Sequence, residues 1–279
     1  MLKKIDLNTN ILILLGTIIL NHIFLLSPSL VFIAKANFLI FIFFSIFYFF
    51  KFKENKILLL FIIILLIIAL STPTTGWDAR SIWLLKAKII FYDQSILKVN
   101  SNSPSFLNTN YPNIAPAFVA SLANIVGHWN EIFPKAGFTL MFIPPLILLN
   151  KFIHNNYFLL AIILILFIVG KYLLNGELDG LVSIYFVMSA IMIYNLKELS
   201  KKNYSDYLIL ILLNIILTLL KVEGSILLIS LIFSSLIIFF KNKKIFKNLI
   251  LISILSFIPV LIWNIYCINN SLNGSETNS

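Results

Sequence analysis

"NIAPAFVASLANIVG", residues 113–127, is the stretch on which the topology of the chain turns. Whether it crosses a membrane decides which way every later loop faces. The lysine-rich turns are Lys3-Lys4, "KFKENK" (51–56), Lys151, "KELSKK" (197–202) and "KNKKIFK" (241–247). With the N-terminus inside, all of them face the cytoplasm, as positive loops should, provided residues 72–136 stay on the outer side. If 113–127 crossed, "KELSKK" and "KNKKIFK" would face outward. The expectation is therefore a helix lying on or dipping into the interface, within an outer segment of about 65 residues, far longer than a connection requires.

The rest of the chain supplies the membrane. Of its 279 residues, 60% are hydrophobic and 11% charged, too little polar surface to wrap a soluble globule. Runs of the roughly 20 apolar residues that a bilayer core of about 30 Å demands recur from Ile11 to Tyr266. They are continuous rather than alternating, which predicts helices and not barrel strands. The expected fold class is all-α: a polytopic transmembrane bundle of about nine spans, near 10–27, 31–50, 57–71, 137–150, 157–170, 181–195, 206–220, 225–240 and 248–267. This divides the chain into N-terminal transmembrane helices (1–71), an outer loop with interfacial helices (72–136), a transmembrane core (137–267) and a polar tail (268–279). Lys3-Lys4 and the apolar run after them could pass for a signal peptide. The weak cleavage match Ala34-Lys35-Ala36 lies too far beyond the run, so an uncleaved first span is expected.

Several function classes fall away. The net charge of +10 is a matter of topology and not of nucleic-acid binding, because most of the lysines sit in short loops. A single cysteine, Cys267, excludes an internal disulfide and any cysteine metal cluster, and His22, His128 and His154 have no ligand spacing. No glycine-rich phosphate loop or nucleotide fingerprint is present.

What remains is concentrated on the outer side. Trp77, Trp83, Trp129 and Trp263 all map to one interface, where indoles are favoured as simple anchors or as part of a site. Asp78, Asp93, Glu131, Glu177, Asp179, Glu223 and Glu276 map outside, whereas Asp6, Glu54, Glu198 and Asp206 map inside amid lysines, as solvated loop charge. Carboxylates held at a membrane boundary are costly, which makes the outer ones functional candidates; helix capping or pairing with a nearby lysine is the plainer reading. In "TTGWDARSIWLLKAKIIFYD" (74–93) stands the chain's one arginine, Arg80. A helix from residue 78 would put Asp78, Ile82 and Lys86 on one side, toward an outer cavity, and Trp83, Ala87 and Ile90 on the other. Arg80 offers the planar fork that suits bidentate phosphate binding; a salt bridge to Asp78 or contact with headgroups is the alternative. Lys86, Lys88 and Lys135 would add charge for an anionic lipid. An acid beside such cations suits a general base working against a lipid-phosphate leaving group.

The succession "GWDARSIWLLKAKIIFYD", "NYPNIAPAFVASLANIVGHWNEIFPKAG", "NGELDG" and "LKVEGS" resembles the membrane core of the GT-C glycosyltransferases, over roughly residues 70–230. The nearest branch is that of the dolichyl-phosphate-mannose-protein mannosyltransferases and aminoarabinose transferases. "WDARSIW", "WNE" and "PKAG" are also similar to uncharacterised bacterial membrane proteins related to that group. The resemblance implies catalytic roles for Asp78, with Glu177 and Asp179 as a second acid motif. Arg80, Lys86 and Lys135 would hold the carrier phosphate, with Glu131, Tyr111 and Glu223 as further substrate-binding candidates. It implies a polyprenyl-phosphate sugar donor, a lipid or glycan acceptor, and contact with membrane lipids of a bacterial inner membrane, with the N-terminus cytoplasmic. A divalent cation stays open as cofactor. Two departures stand out: additional spans precede Asp78, and Asn110 occupies a position where a charged neighbour is expected. The chain also ends where such enzymes usually continue, which leaves a minimal enzyme, a truncated frame and an inactive remnant all open. A glycolipid transporter and a non-catalytic scaffold are the competing function classes; transporters place ionisable groups at mid-membrane, whereas these lie at loop ends.

Overall fold

The computed structural model of the protein describes residues 6–52, 56–99, 107–153, 155–196, 204–270 and 272. Every regular element among them is helical. They are α1 (Leu7–Phe24), α2 (Val31–Lys51), α3 (Lys56–Ser71), α4 (Leu84–Asp93), α5 (Ile114–Val126), α6 (Ala136–Leu140), α7 (Ile143–Phe152), α8 (Asn155–Leu174), α9 (Asp179–Tyr194), α10 (Tyr204–Leu220), α11 (Val222–Ile238) and α12 (Lys243–Asn269). Among the described residues, four segments are long and apolar enough to cross a membrane: Leu7–Phe24, Pro28–Lys51, Phe133–Phe152 and Lys243–Asn269. Of the lysine turns, 1–5, 53–55 and 197–203 lie outside the described residues.

Local chemistry sets the helix ends. The Asp6 carboxylate accepts the Thr9 N–H at 2.7 Å and caps α1, and the Asn242 side chain does the same for α12 through the Ile245 N–H. Gly127, at φ 83°, closes α5 in the left-handed conformation that glycine adopts without strain. The expected single helix at 137–150 is two, α6 and α7, because Pro144 and Pro145 follow the break at Met141–Phe142. Proline at 145 leaves the Met141 carbonyl without its helical donor. The Tyr185 hydroxyl of α9 donates to it instead, at 3.0 Å, and so ties α9 to the break.

Two ends of the bundle can be told apart by what they tie together. At one end the Asp206 carboxylate, at the start of α10, accepts from Lys151 at the end of α7 and from Asn8 at the start of α1, both at 3.1 Å. Asp206 is only 3% exposed, so the expectation of a solvated loop charge is corrected: it is a buried clasp of three helices. Its desolvation is offset by the Lys151 ammonium and the Asn8 amide. At the other end the chain leaving α3 meets the turn between α8 and α9, and the segments flanking α4 and α5 meet the finish of α1 and α12.

Helix α5 is the largest departure from expectation. The stretch drawn as an interface helix is almost wholly buried, wedged among α1, α2, α4 and α6. Phe118 sits between Phe38 and Phe41 of α2, with ring centroids 4.7 and 5.0 Å away. Gly137 lets α6 approach, since a Cβ there would lie 2.9 Å from Val119 Cα. Both ends of α5 nevertheless return to the finish of α1. The Asn113 backbone bonds the His22 imidazole, and the Asn124 side chain accepts from Gln94, whose neighbours Ser95 and Ile96 bond the Leu26 and Leu25 carbonyls.

Candidate functional site

The loop from Thr72 to Ala79 is gripped from three sides. The Lys135 ammonium, buried, donates to the Thr72 hydroxyl at 3.0 Å and to its carbonyl, a cation at the C-terminal end of α3. Thr75 donates to the Asn175 side chain at 3.4 Å. Gly76 faces Glu177 so closely that a Cβ would lie 2.5 Å from its Oε1, and one on Gly176 would lie 3.6 Å from Ala79 Cβ. The "NGELDG" turn is thus seated on the segment that carries Asp78.

The grip has a consequence for the backbone. Residues Ala79–Trp83 form a π-turn, in which the Leu84 N–H bonds the Ala79 carbonyl five residues back. One extra residue per turn rotates everything after it by about 100° relative to a continuous α-helix. The expected sharing of one side by Asp78, Ile82 and Lys86 is therefore corrected. Asp78 and Arg80 are exposed, while Ile82, Trp83, Lys86, Ala87 and Ile90 all point into the bundle. Neither Asp78 nor Arg80 has a side-chain hydrogen bond or ion pair among the described residues, so the salt bridge between them does not form.

Arg80 lines a half-open cavity of about 660 Å³, together with Thr75, Trp77, Ser81, Lys88 and Glu131. Lys88, half-buried, and Glu131, exposed, form an ion pair across it at 2.7 Å. The cavity has what an anionic headgroup requires: a free guanidinium, a lysine whose partner a ligand can displace, two hydroxyls and an exposed indole.

The other candidates are elsewhere. Lys86 is fully buried. Its ammonium donates to the Tyr111 carbonyl at 3.0 Å and lies 5.8 Å from the Trp83 and Tyr111 ring centroids, which themselves stack at 5.6 Å. Burial without a carboxylate pushes the amine down to about 7. It clasps the approach to α5 and does not face the cavity. Asp179 and Glu223 share Lys221, at 3.0 and 3.3 Å, joining the starts of α9 and α11. Burial works to lower the Lys221 ammonium, but the Asp179 hydrogen bond and the two carboxylate charges prevail and hold it above the usual lysine value. Of the tryptophans, Trp77 is 64% exposed, as an anchor would be, whereas Trp83 and Trp263 are buried. The Trp263 indole donates to the Asn110 carbonyl at 2.8 Å, so Asn110 receives the end of α12 through its backbone and needs no charge for that.

Of the residues singled out in the sequence, Arg80 and Glu131 line this cavity, while Asp78 belongs to the loop beside it and Glu177 packs on Gly76 of that loop; Ser81, Thr75 and the pairing of Lys88 were missed. Among the described residues, no three or more His, Cys, Asp or Glu gather as metal ligands. No family model, curated protein or solved structure matches the chain.

Proposed function

We propose that the chain is a GT-C-like membrane glycosyltransferase, moving a sugar from a polyprenyl-phosphate donor to a lipid or glycan acceptor on the outer face of a bacterial inner membrane. One observation carries it: an unpaired guanidinium, Arg80, lines a cavity that also holds Lys88, an exposed and unpaired carboxylate, Asp78, stands two residues before it between the lining residues Trp77 and Arg80, and a second carboxylate, Glu177, lies against the same loop.

In the reaction, the acceptor hydroxyl gives its proton to Asp78 as its oxygen attacks the anomeric carbon. The bond from that carbon to the phosphate oxygen breaks, and the electron pair leaves with the carrier phosphate. Arg80, forked for bidentate contact, and Lys88, released from Glu131, meet the growing negative charge. Asp179 and Glu223 act at one remove: paired with Lys221, they fix the start of α9 and with it the Glu177 turn.

The topology proposed is nine crossings, with α6 and α7 counted as one and the α4–α5 region on the outer side. Its support is the consistent alternation of contacts. The starts of α1 and α10 and the end of α7 meet at the Asp206 clasp, and the ends of α1 and α12 meet the α4–α5 region. A transporter is less well supported, since the buried Lys151–Asp206 pair lies at helix ends and not at mid-bundle.

The test is sugar transfer in membrane vesicles from a polyprenyl-phosphate sugar. Asp78→Asn, at wild-type expression, should reduce it on the order of 10²–10⁴-fold, and full activity in that variant overturns the assignment. Reporter fusions at residues 100 and 200 should report opposite sides of the membrane; the same side for both refutes the topology.

A further inference from the structure

The turn between α11 and α12, "IIFFKNKKIFK" (237–247), carries Lys241, Lys243, Lys244 and Lys247. No Asp or Glu stands between Glu223 and Glu276, so these lysines are the only charged side chains in that whole stretch. All four are exposed, and among the described residues none has an ion pair or a hydrogen bond. The Asn248 side chain donates to the Tyr207 hydroxyl at 3.1 Å, which sets the turn at the same end of the bundle as Asp206. That carboxylate is buried and already taken by Lys151 and Asn8.

The turn is well fixed despite its charge. The Asn242 N–H bonds the Phe239 carbonyl at 2.8 Å, its side chain caps α12, and the Phe246 N–H bonds its carbonyl at 2.9 Å. The rings of Phe240 and Phe246 meet edge-on at 5.8 Å. Held in this way, the turn frames an open cavity of about 590 Å³, lined by Ile238, Phe239, Lys241, Asn242 and Lys243. Helix stability does not explain the lysines, because Lys243 and Lys244 open α12, and cations favour the other end of a helix. Orientation in the membrane calls for positive charge in the turn, but not for a cavity with two ammonium groups on its wall.

An anion offsets charges so placed, and the neighbouring side chains say of what kind. Ile237, Ile238 and Phe240, directly before the lysines, are exposed at the end of an apolar helix. A free anion makes no use of them. A phospholipid does, with its phosphate at the lysines and its acyl chains along the isoleucines and Phe240. We infer that this cavity binds the headgroup of an anionic phospholipid, with Lys241 and Lys243 on the phosphate. On the topology proposed above, the lipid belongs to the cytoplasmic leaflet. The site needs only a membrane at this turn and is independent of the transfer reaction.

The experiment places the full chain, with Phe240→Trp as reporter, in phosphatidylcholine bilayers containing a small fraction of phosphatidylglycerol brominated on its acyl chains. Brominated phosphatidylcholine at the same mole fraction is the control. The signal is the quenching beyond that of the unsubstituted chain, whose four tryptophans all lie outside this turn. Phosphatidylglycerol should quench saturably, with a preference over phosphatidylcholine on the order of tenfold, as two lysines at a membrane surface confer. Lys241→Gln with Lys243→Gln should abolish that preference. Lys244→Gln with Lys247→Gln removes the same charge from outside the cavity and should leave most of it. Equal quenching by the two lipids overturns the inference, and so does equal loss from the two pairs of substitutions, which would mean diffuse attraction without a site. Displacement by inorganic phosphate at constant ionic strength also overturns it, since the site would then be one for a free anion. Asp78→Asn should leave the preference unchanged, so a failure of the transfer reaction and a failure of this site are separate results.

Discussion

Lys86 gives the sharpest expectation, because its burial makes stability depend on pH in a range where few groups titrate. In the folded chain the amine is pushed down to about 7 from its ordinary value of 10.5 by loss of water. Between those limits the unfolded chain holds a proton on this lysine that the folded chain does not. Unfolding then takes up a proton, and stability rises with pH at up to about 1.4 kcal/mol per unit. Below pH 7 both states are protonated and the dependence flattens; above 10.5 neither is. From pH 7 to 9 the wild type should gain on the order of 2 kcal/mol relative to Lys86→Met, which keeps the volume and carries no charge. In a chain of this size that is a rise in Tm of roughly 5 °C. The assay is thermal unfolding in detergent, followed by tryptophan fluorescence at several pH values for both proteins. Taking the difference between them cancels the other lysines. A difference flat between pH 7 and 9, or falling, would refute the claim that Lys86 is buried without a counter-charge.

Three further outcomes are expected. Asp206→Ala removes the Lys151 counter-charge and leaves the ammonium only the Asn8 Oδ1 and the Asn8 amide only the Ser205 hydroxyl; it should cost on the order of 2–3 kcal/mol, read as a lower Tm, and Asp206→Leu with Lys151→Met should recover most of it. Gly224→Ala puts a Cβ 2.1 Å from the Leu217 carbonyl oxygen, a backbone atom with nowhere to go, so α10 and α11 must separate and unfolding should come on the order of 3 kcal/mol earlier. Gly76→Ala is the contrasting case: the Cβ would meet only the Glu177 carboxylate, at 2.5 Å, and a side-chain end can move. Stability should stay within about 1 kcal/mol. Sugar transfer should fall about tenfold or more as Glu177 is displaced, and unchanged transfer would remove Glu177 from the site.

Much of the helical frame was legible because bilayer length and apolar runs leave few choices. The ranges around α1, α2, α3 and α8 to α12 follow from continuous Ile, Leu and Phe with breaks at lysine, glycine or, between α1 and α2, Ser27-Pro28-Ser29. What hydropathy cannot give is which apolar helix is innermost. The stretch 113–127 is rich in alanine and carries no charge, properties shared by an interface helix and by a close-packed central one. The difference is made by partners distant in sequence: Phe38 and Phe41 around Phe118, and Gly137 against Val119. The break at Met141 was in the sequence, in Pro144-Pro145, but the Tyr185 hydroxyl that makes the break tolerable was not.

The candidate site was legible in part for a related reason, and the part that failed is informative. Periodicity at 3.6 residues put Lys86 beside Asp78, and nothing in "DARSIWLLK" argues against a continuous helix. The π-turn at Ala79–Trp83 is imposed from outside. The segment before it is held by Asn175, Gly176 and Glu177, and the helix after it by Lys86 on Tyr111 and by Trp83 stacked on the same ring. Between two fixed ends, one residue too many is taken up as a bulge. The rotation it causes separates the cations. Lys86, aimed inward, holds the bundle together, while Arg80 stands at the cavity without a partner. A regular helix would have placed Lys86 near Asp78, where the two would neutralise one another. By turning Lys86 away, the bulge leaves both the Asp78 carboxylate and the Arg80 guanidinium without a side-chain partner, which is what the proposed transfer reaction requires of them. A local rule is broken here and the broken rule lies at the proposed site, which is where departures from sequence consistency are expected to collect.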